Sequence, residues 1–151
     1  MRGGDFLARI ERSIEIEAPP SKIWPLLFWD RLPEWFEGIK AAQYTSEDKD
    51  CVGATAHVVG ETAGVRVEFD VEITEYVENE RATWRTTAGN FTAIGLTRLD
   101  PTDSHIKLTM TIDYELPYSI LGKVIDKLLV SREFEKDFKR DLEKLKGMLE
   151  K

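Results

Sequence analysis

The chain has 151 residues, of which 42% are hydrophobic and 32% are charged, and its formal net charge is −7. This size and composition predict one globular domain over residues 1–151. The acidic charge argues against binding to nucleic acid, because it repels the phosphate backbone. The sequence has no apolar run of about 18 residues that would span a membrane, no secretory signal and only one cysteine, Cys51. We therefore expect a cytoplasmic protein without a membrane segment.

The first part of the chain combines a strand with two short helical segments. Residues 9–17 predict a strand that is ended by a Pro-Pro pair, because proline cannot donate to a strand ladder. The segments SKIWPLLFWD and LPEWF then predict two short helices. Three of the four tryptophans, Trp24, Trp29 and Trp35, lie in these segments, which are too short to form a core alone.

Six further strands and one long helix follow. The strand at 65–77 has the clearest alternation of apolar and charged residues, which is typical of an antiparallel strand with one wet face. In the strand at 91–99 the inward side stays open, because Phe91 and Leu99 compete with Ile94 and Leu96. The other strands are predicted at 39–45, 54–59, 81–87 and 105–116.

The predicted C-terminal helix spans residues 119–149. Ser131 and Glu135 interrupt its apolar stripe. Either the stripe rotates to use Phe134, or a polar pair faces a wet cavity; we favour rotation for Glu135, since burying an unpaired carboxylate is costly. The order β-α-α-β6-α predicts an α+β fold with an antiparallel sheet curved around the long helix.

Several short motifs carry a resemblance to a known family. They are Ala18-Pro19, Ile23-Trp24, Leu32-Pro33-Glu34-Trp35 and, before the last helix, Tyr114-Glu115-Leu116-Pro117. In this order the motifs resemble the polyketide cyclase/dehydrase and lipid-transport family, whose superfamily includes the START domains and the birch-pollen allergen. The resemblance implies a helix-grip fold, in which a seven-stranded sheet grips the C-terminal helix around a cavity for an apolar molecule. It also implies that Trp35 and Phe36 lie near one mouth of that cavity.

Catalytic and metal-binding patterns are scarce in the sequence. His57 and His105 lie on different strands without metal-ligand spacing, and the sequence predicts no metal and no cofactor. If Val59 pairs with Val65 across the loop GETAG, His57 faces the cavity, where a neutral imidazole could act as a base. The alternative is an exposed or hydrogen-bonded histidine.

Our leading hypothesis is binding, with transport, of a lipid, isoprenoid or polyketide-like molecule. One alternative is a cyclase or dehydratase that uses His57 as its acid or base, and another is a protein-interaction module without a ligand. Oligomeric state is left open. We expect Tyr114 and Ser131, together with His57, to orient the ligand. The expected apolar wall is Phe69, Val71, Trp84, Met110, Ile112, Tyr114, Leu121 and Leu128.

Overall fold

The computed structural model describes residues 8–62, 64–115 and 127–150, without the side chains of 62, 65 and 127–131. These residues form seven strands, a short N-terminal helix, two 3-10 turns and a long C-terminal helix. The strands are β1 Ala8–Ile16, β2 Ile39–Tyr44, β3 Thr55–Thr62, β4 Val65–Val77, β5 Arg81–Gly89, β6 Thr92–Pro101 and β7 Ile106–Glu115. The helices are α1 Pro20–Ile23 and α2 Lys127–Leu149, and the 3-10 turns are Trp24–Leu27 and Leu32–Glu34.

All seven strands belong to one antiparallel sheet in the order β1-β7-β6-β5-β4-β3-β2. From β2 to β7 each strand pairs with the next along the chain, as antiparallel hairpins allow. The last strand, β7, also pairs with the first strand, β1. Helix α2 packs across the concave side of the sheet, where the ring of Phe134 contacts that of Tyr114. This is the helix-grip fold, and it confirms the predicted α+β class.

The side chains alternate between a buried concave face and a wet convex face. In β4 Val67 and Phe69 are buried, while Glu68 between them is exposed. In β6 the alternation left open by the sequence is resolved, because Leu99 is buried and Ile94 is 36% exposed. The concave face of β6 therefore carries Ala93, Gly95, Thr97 and Leu99.

The tryptophan-rich segment packs against the sheet. The indole N–H of Trp24 donates a hydrogen bond of 2.9 Å to the hydroxyl of Tyr76 in β4. The indole N–H of Trp35 donates one of 2.7 Å to the backbone carbonyl of Leu26. The indoles of Trp24 and Trp35 thus each have an acceptor for their only polar group, and the segment adds to a shared core.

Helix α2 turns Phe134 inward and Glu135 away from the core, which confirms the predicted rotation of its stripe. Glu135 is paired at 3.6 Å with Arg12 of β1 and stays 42% exposed. The fully buried positions Phe138, Leu142 and Leu145 continue the inward face. Within the described part of the chain, no helix is both long and apolar enough to cross a membrane.

Candidate functional site: a cavity between sheet and helix

A cavity of about 100 Å³ lies between the concave face of the sheet, the N-terminal aromatic segment and α2. A cavity of about 150 Å³ can hold benzene, whereas sites for drug-sized ligands measure roughly 300–1,000 Å³. The space is therefore smaller than a cavity that holds benzene, and a ligand of one ring or more requires the walls to move apart. Its described apolar wall comprises Leu27, Phe28, Trp29, Leu32, Phe36, Ile39, Val67, Phe69, Ile73, Ala82, Trp84, Phe91, Met110, Ile112, Phe134 and Phe138.

On the sheet side, the indole of Trp84 lies against β6, because the neighbouring residue of that strand is a glycine. Gly95 pairs with Trp84 across the two strands, and a Cβ at Gly95 would lie 2.2 Å from Cε2 of the indole. Real Cβ atoms do not approach another atom so closely, so only glycine lets the ring lie over β6. Trp29 then packs edge-on against Trp84, with ring centroids 5.1 Å apart.

The end of the cavity is formed by the segment between α1 and β2. Phe28 contacts the rings of Trp24 and Tyr76, with centroids 5.1 and 5.5 Å away. Phe36 packs edge-on against Phe138 of α2 at 5.3 Å. The aromatic side chains near the N-terminus thus connect the sheet to the helix and line the space between them.

The helix contributes both rings and carboxylates to the wall. Phe134, Asp137, Phe138 and Asp141 line the cavity, and their spacing of three and four residues places them on one face of α2. Asp141 is only 1% exposed, and its Oδ2 has no hydrogen-bond partner among the described residues. Its Oδ1 lies 3.5 Å from Nη2 of Arg140. Burial raises the pKa of Asp141 to about 6, although Arg140 and the backbone N–H of Glu37 act in the opposite direction.

The cavity has what we call its acidic end, formed by Glu37, Glu61, Asp137 and Asp141. Arg140 joins three of these residues, since its guanidinium lies 3.2 Å from Glu37 and 3.3 Å from Asp137, besides the contact to Asp141. The backbone N–H of Glu61 donates a hydrogen bond of 2.8 Å to the carbonyl of Gly38, the residue after Glu37. Glu61 also lines the cavity. One guanidinium thus faces an excess of carboxylates.

The expectation that His57 faces the cavity is wrong. Strand β3 continues to Thr62, and His57 pairs with Asp70 of β4 on the convex face. Its Nδ1 lies 2.7 Å from Asp70 and its Nε2 lies 2.8 Å from Glu68. These hydrogen bonds, that of Asp70 first, raise the pKa of His57. The imidazole therefore belongs to an exposed polar cluster and cannot serve as the acid or base of the cavity.

The other predicted site residues fall into three groups. Phe36, Phe69, Trp84, Met110 and Ile112 line the cavity. Trp35, Val71 and Tyr114 are fully buried and face the core, but they are not part of the described wall. Leu121 lies outside the described residues, as do the side chains of Leu128 and Ser131. For all of these residues, contact with a ligand stays a prediction.

Sequence reasoning missed Trp29 and Asp141. Trp29 stands in a 3-10 and turn region, where neither a helical nor a strand period indicates which way a side chain points. Asp141 could have been found, because it lies seven residues after Phe134, two turns along the same helix face. A carboxylate within a charged helix is typical of a solvent-exposed position, so the pattern does not indicate that Asp141 lies on the inward face.

Residues 8–150 match the family model described as polyketide cyclase/dehydrase and lipid transport. The chain belongs to this family. It is 31% identical over 149 residues to an uncharacterized 17.2 kDa protein of Streptomyces lincolnensis, an alignment that covers 95% of this chain and 91% of that protein. This similarity extends the assignment over nearly the whole chain.

Solved structures share the family's fold at low sequence identity. A START superfamily protein from Mycobacterium smegmatis aligns with a TM-score of 0.74 and 16% identity, over 94% of this chain and 97% of the other. The Zhui aromatase/cyclase from Streptomyces sp. R1128 aligns with a TM-score of 0.75 and 15% identity, over 95% of this chain and 93% of the enzyme. At such identities the likeness establishes the fold alone.

Proposed function

We propose that this protein binds a small hydrophobic molecule in the cavity between the sheet and α2, and that it transports this molecule. The carrying observation is a wall of aliphatic and aromatic side chains around a partly enclosed space, with a few polar side chains such as Thr97 and Asp141 among them. Such a combination is typical of small-molecule sites, where apolar contacts supply affinity and a few polar groups orient the ligand. The family's description, which includes lipid transport, supports the same function.

The size of the cavity sets the expected affinity. An aromatic ring buries roughly 150–250 Å². At about 25 cal/mol per Å² this gives roughly 4–6 kcal/mol before the costs of binding are subtracted. A single ring should therefore bind no more tightly than roughly tens of micromolar to millimolar. Tighter binding needs a larger apolar body, for which the aromatic segment and α2 have to separate.

A pair of matched substitutions tests this proposal. Ile112→Trp places a bulky ring in the cavity, whereas Ile94→Trp makes the same change on the exposed convex face. Titration with a panel of fluorescent lipids and flavonoids should show binding to the wild type and to Ile94→Trp. Ile112→Trp should lose this binding while it remains folded. Equal binding to both variants would place the ligand elsewhere and contradict the proposal.

A second candidate function, acid–base catalysis in the manner of a cyclase or dehydratase, is favoured by Asp141. Burial brings the pKa of this cavity carboxyl to about 6. A general acid or base is most effective when its pKa lies near the working pH, and this value is close to neutral pH. In a dehydration the carboxylate would take a proton from a carbon next to a ketone. It would then return that proton to the departing hydroxyl, which leaves as water.

A β-hydroxyketone with an aromatic ring is a suitable probe, because its dehydration to the enone changes its ultraviolet absorption. Turnover by the wild type should be lost in Asp141→Asn and kept in Glu133→Gln, which removes a charge from the exposed side of the same helix. Binding of this probe without turnover would count against catalysis and leave the binding proposal standing.

A further inference from the structure

One oxygen of the buried Asp141 carboxylate lacks a hydrogen-bond partner, although the backbone N–H of Glu37 and the guanidinium of Arg140 bond to the group. Its Oδ2 is unbonded among the described residues, and the residue as a whole is 1% exposed. Arg140 reaches the other oxygen only at 3.5 Å and is shared with two further carboxylates. Native proteins rarely leave a buried polar atom unpaired, since the lost hydration is not replaced. Oδ2 itself is inaccessible to water in this structure, and because Asp141 lines the cavity, a partner reaches this oxygen from the cavity when the wall opens.

The charges around Asp141 restrict what that partner can be. Asp137 and Arg140 lie on the same helix, Glu37 faces the carboxylate from the loop before β2, and Glu61 comes from β3. Four carboxylates against one guanidinium give this end a negative potential. A ligand that carries its own carboxylate would be repelled and could not donate to Oδ2, whereas a hydroxyl or ammonium group would meet an unpaired acceptor.

We propose that the ligand of this cavity carries a hydrogen-bond donor, a hydroxyl or an ammonium group, that bonds Oδ2 of Asp141 while its apolar body fills the aromatic part of the cavity. Free fatty acids and other apolar carboxylates are then excluded. This inference rests on the proposed binding function and narrows it to a class of ligand. Asp141 then determines which polar group the ligand carries, while the aromatic side chains accept apolar bodies of different shape.

Three naphthalene probes that share one ring system test the inference. 2-Naphthol carries a donor, 2-methylnaphthalene carries none, and 2-naphthoate carries a negative charge. Their dissociation constants are measured near neutral pH by titration calorimetry for the wild type and two variants. Asp141→Leu removes the acceptor and keeps the branching at Cγ, and Glu133→Gln is the control on the exposed side of α2. The preference for 2-naphthol over 2-methylnaphthalene is compared between proteins, which cancels the different solubilities of the probes.

We expect this preference to fall about 10- to 100-fold in Asp141→Leu, the range for a hydrogen bond to a charged group, and to stay unchanged in Glu133→Gln. An unchanged preference in folded Asp141→Leu would overturn the inference and leave cavity binding intact. Should this variant not fold, wild-type binding of 2-naphthoate as tight as that of 2-naphthol overturns it equally. Failure of all three probes to bind would overturn the binding function, and the donor inference with it.

Discussion

Asp141→Asn should stabilise the protein at neutral pH, and the gain should disappear in acid. Burial raises the pKa of this carboxyl from 3.8 to about 6. The folded protein therefore binds more protons than the unfolded chain between these values, and stability falls as the pH rises from about 4 to about 6. Two pKa units correspond to roughly 3 kcal/mol at neutral pH. Asparagine has nearly the same shape and no charge, so it avoids this cost.

Urea unfolding followed by tryptophan fluorescence, repeated between pH 4 and pH 8, measures the effect. The difference in unfolding free energy between Asp141→Asn and wild type should grow with pH by about 2 kcal/mol or more and level off above pH 7. Glu133→Gln on the exposed side of α2 should show no such trend. A pH-independent difference, or a variant less stable than wild type at neutral pH, would refute the reasoning, because Arg140 would then compensate the buried charge fully.

Three further predictions concern packing and the convex face. Gly95→Ala should lower the free energy of unfolding in urea by about 1–3 kcal/mol and alter the near-ultraviolet circular dichroism, because the alanine Cβ collides with Trp84. An unchanged free energy of unfolding would contradict this contact. Trp35→Phe removes the donor to the buried carbonyl of Leu26 and should lower the free energy of unfolding by about 1–3 kcal/mol in the same assay. An unchanged free energy would mean that this carbonyl finds another partner. His57 should titrate by NMR with a pKa above 6.5, since hydrogen bonds from its ring to Asp70 and Glu68 favour its charged form. Its stabilising contribution is then complete below about pH 6.5 and is lost as the pH rises through the raised value, and a measured pKa at or below 6.5 would contradict this.

The sequence predicted the strand pattern well, because period-two alternation follows directly from one buried and one wet face. The error at His57 came from the turn. A five-residue loop would pair Val59 with Val65, whereas the strands continue until Thr62 pairs with Val65. Val59 then lies opposite Glu68, and this shift by an odd number of residues turns His57 to the convex face. Turn length cannot be read reliably from GETAG, since several loop types accept two glycines.

The site was less predictable than the fold. Positions such as Phe69, Met110 and Ile112 follow from alternation, because a strand that faces the core also faces the cavity within it. The acidic end required three separate segments to meet, and nothing in local pattern indicates that Glu61 and Asp141 line one space. Nor does any local pattern predict a carboxylate without a partner, since that depends on the donors that tertiary packing leaves nearby.

Native mass spectrometry of gently purified protein, followed by denaturing extraction and mass analysis of what is released, tests the central claim most directly. An apolar molecule should accompany the wild type and Ile94→Trp and be absent from Ile112→Trp. The molecule should carry a hydroxyl or amino group and no carboxylate. Protein that is empty in every preparation, and that also binds none of the lipid and flavonoid probes, would contradict the claim that the cavity is a binding site.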